Sequence, residues 1–321
     1  MKQHSSMVSR RITILVLFAL MTTTARAGGS DTPSDTTAVV DSLGSLDDFR
    51  LGCDERATLY GDRPLTSTRL DPVRATAVGA AMTGVLISFH VTMKNAWWDN
   101  RTSFNFKDDW NDVLQVDKAG HAFAGYMESY AFSEMLMGAG VAWKMATLIG
   151  GLVAFCYQTY VELEDGFSEG WGFSMTDVAS NGFGAGLYIA QGFVPALGNI
   201  RPKYQFVPAG WLDVPRLSTT WIDDYNSSTF WLSTSPRCLA GDRLEWWPVW
   251  LNIALGYGVR INGDEDRARR VILALDYNLI QLLPDGGHVW NWLRQTLDHI
   301  KFPSPAIEFS PEPRLFLAFP F

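Results

Sequence analysis

The residues able to do chemistry form three short clusters of ionisable and amide side chains inside segments that are otherwise apolar. The clusters are Asp117, Lys118 and His121; Glu162 and Asp165; and Asp177 and Asn181. An isolated charge in a low-dielectric interior is expensive unless it is paired with an opposite charge. The clusters therefore indicate either a structural polar network or a functional site.

Helical spacing adds two residues to the first cluster. Asp117 and His121 are four residues apart and Glu128 is seven further on, so all three share one stripe of a helix, with Tyr126 beside it. The candidate catalytic residues are His121, Glu162 and Asp177. The candidate binding residues are Asp117, Lys118, Tyr126, Glu128, Asp165 and Asn181.

Two chemistries suit these side chains, and a structural role is the third option. Histidine with carboxylates can hold a divalent metal, which makes His121, Glu162 and Asp177 the candidate metal ligands, or histidine can act as a general base oriented by an acid. The spacing differs from the His-Glu-x-x-His zinc motif. Alternatively, Asp117 and Asp177 cap predicted helix N-termini, which stabilises a helix by about 0.5–2 kcal/mol, and Lys118 pairs with Glu162.

The N-terminal residues 1–27 have the pattern of a cleavable secretory signal. Lys2, Arg10 and Arg11 precede an apolar run from Ile12 to Met21, and small residues follow. The run is about ten residues long, well short of the roughly twenty that span a bilayer. The chain is therefore expected to be exported. No cysteine lies at the cleavage site, so lipid attachment is not expected there.

The net charge of the chain without its signal bears on the kind of partner it binds. Removal of the four basic residues of the signal takes the formal net charge from −8 to −12, which argues against nucleic acid as a partner.

Cys53 and Cys238 are the predicted disulfide pair, because Cys156 lies in an apolar helical run. Three free thiols are the open alternative.

The remaining chain divides into three parts. Residues 28–70 are predicted to be a flexible leader, residues 71–200 a helical bundle and residues 201–321 a strand-rich region. The four helices are expected at about 73–93, 117–136, 142–162 and 177–193. The first helix lacks charged residues from Ala75 to Met93, which is long enough to span a membrane. The predicted fold class is α+β, with a membrane-associated four-helix bundle before an antiparallel C-terminal region.

The C-terminal part alternates apolar and other residues with a period of two. One such run lies at 249–259 and another at 271–279, and Asn262 with Gly263 in the joint favours a hairpin. One apolar strand face and a terminal aromatic residue are typical of outer-membrane barrels. Only about six strands are predicted, however, fewer than the eight of the smallest single-chain barrels. A sheet packed against the helices is therefore favoured.

Four separated motifs carry a family resemblance. They are DKAGHAFAGY at 117–126, VELEDGFSEGWGFSMTDVASNGFGAG at 161–186, DDYNSSTFWLS at 223–233 and WLNIALGYG at 250–258. Through them the chain resembles the YfiM-like family of predicted periplasmic lipoproteins, a domain of unknown function, in a long form with a C-terminal extension. The resemblance covers about residues 75–321. It implies export but no reaction, and the lipoprotein cysteine is absent here.

A fainter similarity is to VanZ-like membrane proteins. Their helical core carries Asp-Lys-x-x-His, then a glutamate, then Asp-x-x-x-Asn-x-x-Gly. The matching residues here are Asp117, Lys118, His121, Glu162, Asp177, Asn181 and Gly184. This similarity implies a four-helix membrane bundle with an internal polar site, and it transfers no substrate.

Two function classes follow from these observations. The favoured one is a non-enzymatic structural or interaction component of the cell envelope, with a membrane lipid or another envelope component as partner. The alternative is a membrane-embedded hydrolase or transferase that acts on a lipid or lipid-linked envelope substrate, with a possible divalent metal as cofactor. Both place the protein at the inner or the outer membrane, with its C-terminal region in the periplasm.

Overall fold

The computed structural model describes residues 45–318, except 61–63, 99, 219, 221 and 264–265. The predicted signal and the first part of the predicted leader lie outside the described residues. Seven α-helices and eight β-strands are present in the described part of the chain, and six of the strands form one antiparallel sheet. The expectation of a mixed α and β protein, with helices before a strand-rich antiparallel region, is confirmed.

Four long helices lie where the sequence predicts them. They are α1 (Pro72–Ala96), α2 (Val116–Gly138), α3 (Trp143–Asp165) and α4 (Met175–Phe193). Asp71 caps α1 by accepting the backbone N–H of Arg74, and Pro72 occupies the first turn. Ser174 caps α4 in the same way. Local capping residues therefore fix the starts of α1 and α4, whereas α2 and α3 begin without a side-chain cap.

The helices form a three-helix core with a fourth helix along its side, which differs from the expected four-helix bundle. Helices α2, α3 and α4 pack closely against one another. Helix α1 buries only Met82 and Leu86, which pack with Phe132 of α2 and Tyr157 of α3. Among the described residues, α1 is the one helix long and apolar enough to cross a membrane, and only 11% of its most apolar stretch is buried.

The segment before α1 is folded rather than flexible. It contains two short paired strands, β1 (Arg50–Leu51) and β2 (Asp54–Glu55). Phe49 is buried, and the buried side chain of Asp54 pairs with Arg201. Residues 45–60 thus differ from the predicted leader, because their few apolar and charged groups find partners in distant parts of the chain.

The large sheet is a simple meander in which each strand pairs with the next. Its strands are β3 (Arg201–Phe206), β4 (Ser228–Thr234), β5 (Leu251–Asn262), β6 (Asp266–Tyr277), β7 (Ala306–Ser310) and β8 (Arg314–Phe316). Strands β5 and β6 form the long hairpin, with Gly263 at φ +81° in its turn. The remaining helices are α5 (Pro236–Ala240), α6 (Leu279–Leu282) and α7 (His288–Leu297).

Helix α2 joins the helical core to the sheet. Phe123 of α2 packs against Tyr204 and Phe230, with ring centroids 5.7 and 6.0 Å apart. Val116 at the start of α2 packs with Val259 of β5. The same helix carries the first polar cluster, so the sheet and the other helices both determine where that cluster lies.

Glycines allow α2 and α4 to approach closely. A Cβ atom at Gly184 would lie 1.9 Å from the carbonyl oxygen of Ala122, and one at Gly125 would lie 2.5 Å from that of Asn181. Both distances are far below van der Waals contact with backbone atoms. The two helices would have to separate to accept either side chain.

We expect Gly184→Ala to lower the free energy of unfolding by about 1–3 kcal/mol, because backbone must shift to accept the methyl group. Gly186→Ala, two residues along the same helix, is the matched control, since nothing lies within 4 Å of its Cβ position. That variant is expected to gain about 0.5–1 kcal/mol from its better helix propensity. Urea unfolding of both variants measures the difference, and equal stabilities would contradict the close approach.

Candidate functional site

The three polar clusters meet where α2 and α4 begin and α3 ends. Asp117 and Lys118 lie in the first turn of α2, Asp177 lies in the first turn of α4, and Glu162 lies in the last turn of α3. The N-terminus of a helix carries partial positive charge, which favours carboxylates at the first two positions. The structure therefore brings together side chains from three separate stretches of sequence.

Lys118 is the centre of the cluster. Its buried ammonium lies 2.6 Å from Asp177 Oδ1, 2.8 Å from Asp109 Oδ1 and 3.0 Å from Asp117 Oδ2. Burial alone would lower the pKa of Lys118, but these three carboxylates outweigh burial and raise it. The ammonium therefore stays charged and uses all three of its donors.

His121 lies beside this ammonium, with acids on both sides of its ring. Its Nε2 is 3.6 Å from both Asp117 Oδ1 and Asp177 Oδ1. Its Nδ1 is 3.2 Å from Asn181 Oδ1 and 3.8 Å from Glu162 Oε1. Burial lowers the pKa of His121, but the surrounding carboxylates outweigh burial and raise it. These acids favour the imidazolium form, which donates from both nitrogens.

The carboxyl groups of the site divide into two kinds. Burial raises the pKa of Asp117, but His121 and Lys118 outweigh burial and lower it. Burial raises the pKa of Glu162 to about 8, only partly offset by His121, and raises the pKa of Asp177 to about 6. Glu162 is 1% exposed, and its Oε1 has no hydrogen-bond partner. At neutral pH the site therefore holds an ionised Asp117 and a mostly protonated Glu162.

Three of the predicted binding residues lie outside the contacts of His121. The hydroxyl of Tyr126 donates to Gln191 Oε1 at 2.8 Å, and Glu128 accepts from Gln158 at 2.8 Å. Asp165 accepts from the indole N–H of Trp98 at 2.5 Å. Burial raises the pKa of Glu128 to about 8 and that of Asp165 to about 6. Glu128 and Asp165 still interact electrostatically with His121, so helical spacing placed them near the site without a direct hydrogen bond to the imidazole.

Several residues of the site were not singled out from the sequence. Asp109 contacts Lys118 and also accepts hydrogen bonds from Ser174 and Thr176. The hydroxyl of Tyr225 donates to Asp117 Oδ1. Both lie outside the long helices and strands, where no periodic pattern indicates which side chains are buried. The available signal was the acidic 223–226 stretch, which the family resemblance already included.

The site offers three atoms in metal-ligand geometry. One ligand atom each from Asp117, His121 and Asp177 lies within 4.8 Å of the others. Glu162 lies near Nδ1 of His121, whereas Asp177 lies near Nε2. One ion bound to a single nitrogen of His121 could therefore not contact both Glu162 and Asp177. In a metal site Glu162 would instead orient the imidazole. Lys118 already contacts Asp177 Oδ1, so an added cation would have to share that oxygen with it.

The predicted disulfide pair also meets in the structure. Cys53 and Cys238 form a disulfide that joins the segment after β1 to helix α5, and Cys156 is a free thiol. The bridge closes a long loop, which restricts the unfolded chain. It lies in a region separate from the His121 cluster.

Comparison with known proteins finds one family. Residues 105–191 match the family of predicted periplasmic lipoproteins (DUF2279). This stretch runs from the loop before α2 to near the end of α4, and it includes Asp109, Lys118, His121, Glu162 and Asp177. No curated protein and no solved structure matches the chain. The match supports an exported, envelope-associated protein of unknown function and leaves the choice of membrane open.

We expect the free energy of unfolding to fall as the pH rises from about 5 to about 8. The folded state holds a proton on Glu162 more tightly than the unfolded state does, so stability is lost as that carboxyl is forced to ionise. His121 acts in the same direction, because its raised pKa adds stability only while it is protonated.

Glu162→Gln isolates this effect, because glutamine resembles the protonated acid and does not ionise. Urea unfolding measured across this pH range should show a smaller decline for Glu162→Gln than for the wild type. Glu169→Gln, at an exposed position, is the control and should leave the decline unchanged. An identical decline in Glu162→Gln would contradict the assignment.

Proposed function

We propose that this chain is an exported membrane protein of the cell envelope with a non-enzymatic structural or interaction role. The observation that carries the proposal is the contact of Lys118 with three carboxylates at 2.6–3.0 Å. A charged group that the chain itself neutralises needs no ligand to justify its burial. The network then serves to fix α2, α3 and α4 relative to one another.

Helix α1 is the proposed membrane contact. It is 25 residues long, or about 37 Å at 1.5 Å per residue, which exceeds the roughly 30 Å hydrocarbon layer. Ile87, near its centre, and Val91, in its C-terminal half, are about half exposed. Such a helix is stable in lipid and poorly suited to water. The faint similarity to VanZ-like membrane proteins is in keeping with a membrane helix, and the proposed partner is a membrane lipid or an envelope component.

We expect the exported protein to stay in the pellet when membranes are washed with alkaline carbonate. Gly84→Asp combined with Ile87→Asp should reduce the pelleted fraction, because each acid near the centre of a spanning helix costs about 2.5–3.5 kcal/mol. Val73→Asp is the control, since an acid in the first helical turn is favourable. Complete release of the wild type would reject membrane integration.

A structural role of the polar network also predicts the effect of removing His121 on stability. His121→Ala should lower the free energy of unfolding by about 1–3 kcal/mol, because buried carboxylates lose a cationic neighbour. Pulse proteolysis and cellular abundance measure this loss. His288→Ala, at an exposed position, should leave both unchanged. A His121→Ala protein that accumulates and resists proteolysis like wild type would argue against the structural role.

The alternative is a hydrolase or transferase acting on a lipid or lipid-linked envelope substrate, with or without a divalent metal. It is favoured by the 4.8 Å grouping of Asp117, His121 and Asp177 and by the unpartnered buried oxygen of Glu162. Calorimetric titration of the purified protein with Zn²⁺ or Mg²⁺ tests it. One-site binding that is lost in both His121→Ala and Asp177→Asn, with the fold retained, would show a metal centre at this site and favour the alternative over a purely structural role.

A further inference from the structure

Several charged side chains of the large sheet lie on its covered face. Lys203 of β3 is fully buried, and its ammonium lies 2.7 Å from Asp276 of β6. Ser233 donates to the same carboxylate at 2.6 Å. Arg270 and Glu308 form a buried two-bond pair at 3.0 and 2.9 Å. The covered side of the sheet is therefore held together by ion pairs and hydrogen bonds beside a small apolar cluster of Trp231, Ala254, Ile272 and Ala274.

The opposite face of the same strands is covered by α2 at Phe230 and Val259, and beside that contact it carries an exposed apolar row. Its members are directly paired across five neighbouring strands: Leu232, Leu255, Leu273, Ile307 and Leu315. Their exposed fractions range from 40% to 72%. Antiparallel sheets in water normally show the reverse, with apolar residues on the covered face and polar residues outside. A continuous apolar surface of this kind marks an interaction site.

Residues at the two ends of β5 indicate what covers the row. Trp246 and Trp250 are exposed just before β5, and the exposed Arg267 and Arg269 lie beside its far end. Tryptophan and arginine are favoured at the headgroup level of a bilayer, on either side of the hydrocarbon. The apolar positions from Leu251 to Leu255 span about 14 Å at about 3.4 Å per residue, close to the roughly 15 Å of one leaflet's hydrocarbon. Beyond them, Tyr257 packs with Val116 of α2.

The chemistry of the row favours lipid over a protein partner. Leucine and isoleucine offer no hydrogen-bonding groups, and the polar side chains of the central strand positions point to the covered face. A specific protein interface carries about one hydrogen bond per 100–200 Å². Acyl chains require none.

We propose that the outer face of the sheet, defined by this leucine and isoleucine row, lies against the acyl chains of a membrane. The proposal extends membrane contact from α1 to the C-terminal region, which the sequence analysis assigns to the periplasm. It rests on membrane association but does not require α1 to be the anchor. Lipid contact at the sheet and at α1 can be measured separately.

Single cysteines in the full exported chain report on each surface. The background is Cys156→Ser, which leaves only the disulfide-bonded Cys53 and Cys238. Leu255→Cys and Leu273→Cys place a nitrobenzoxadiazole label on the sheet row. Ile87→Cys labels α1, and Asn262→Cys labels the exposed hairpin turn as the aqueous control. Proteins are reconstituted in phosphatidylethanolamine and phosphatidylglycerol vesicles, with or without bromine on the acyl chains.

We expect brominated acyl chains to remove at least half the fluorescence of both sheet labels and little of the Asn262 label. Quenching of the sheet labels without quenching at Ile87 would support the sheet surface and reject α1 as the anchor. Quenching at Ile87 alone, with iodide reaching the sheet labels, would overturn this inference and leave the proposed function standing. Sheet labels shielded from both quenchers would also overturn it, because a protein would then cover the row.

Failure of the protein to float with the vesicles would overturn both proposals. Resistance to proteolysis shows that each labelled protein is folded. The substitutions are at exposed positions, so they are expected to preserve the fold.

Discussion

The buried ammonium of Lys118 is the contact on which the helical core depends. It joins Asp117 of its own helix, Asp177 of α4 and Asp109 of the preceding loop. Removing one partner of such a group leaves uncompensated charge in the interior and costs about 3–5 kcal/mol. The close approach of α2 and α4 at Gly184 brings the first turns of these helices near enough for the contact. Packing and electrostatics therefore constrain the same pair of helices.

The C-terminal region follows the same rule with a second buried network. Arg201 binds Asp298, Asp54 and the backbone oxygen of Leu51, so one guanidinium ties the folded N-terminal segment to the sheet. Lys203 is shared between Asp276 and Asp298. The disulfide from Cys53 reinforces the attachment of that segment. In both regions charged groups from distant stretches of the chain meet inside.

Local signals in the sequence predicted the elements but not their environment. Helix bounds were within a few residues of those observed, because Asp71, Pro72, Ser174 and the glycines act locally. The period of two predicted the long hairpin of β5 and β6. Two kinds of information were missing. Asp109 and Tyr225, which contact Lys118 and Asp117, lie outside the long helices and strands. Their contacts are determined by tertiary packing. The period also does not say which face is covered, since Arg270 and Asp276 alternate with leucines in one strand.

The surrounding solvent determines the free-energy cost of both the polar interior and the apolar exterior. In water, exposed leucines forfeit the free energy of burial, and buried ions lose hydration, so a chain with both features is penalised twice. Against acyl chains the exposed leucines cost nothing, and inward-facing polar groups avoid hydrocarbon by pairing with one another. Under the proposed lipid contact, the paired charges around Lys118 and Lys203 and the open leucine row are two consequences of one environment. The burial of His121 then needs no catalytic role, because a lipid-facing protein places polar residues inside whether or not they do chemistry.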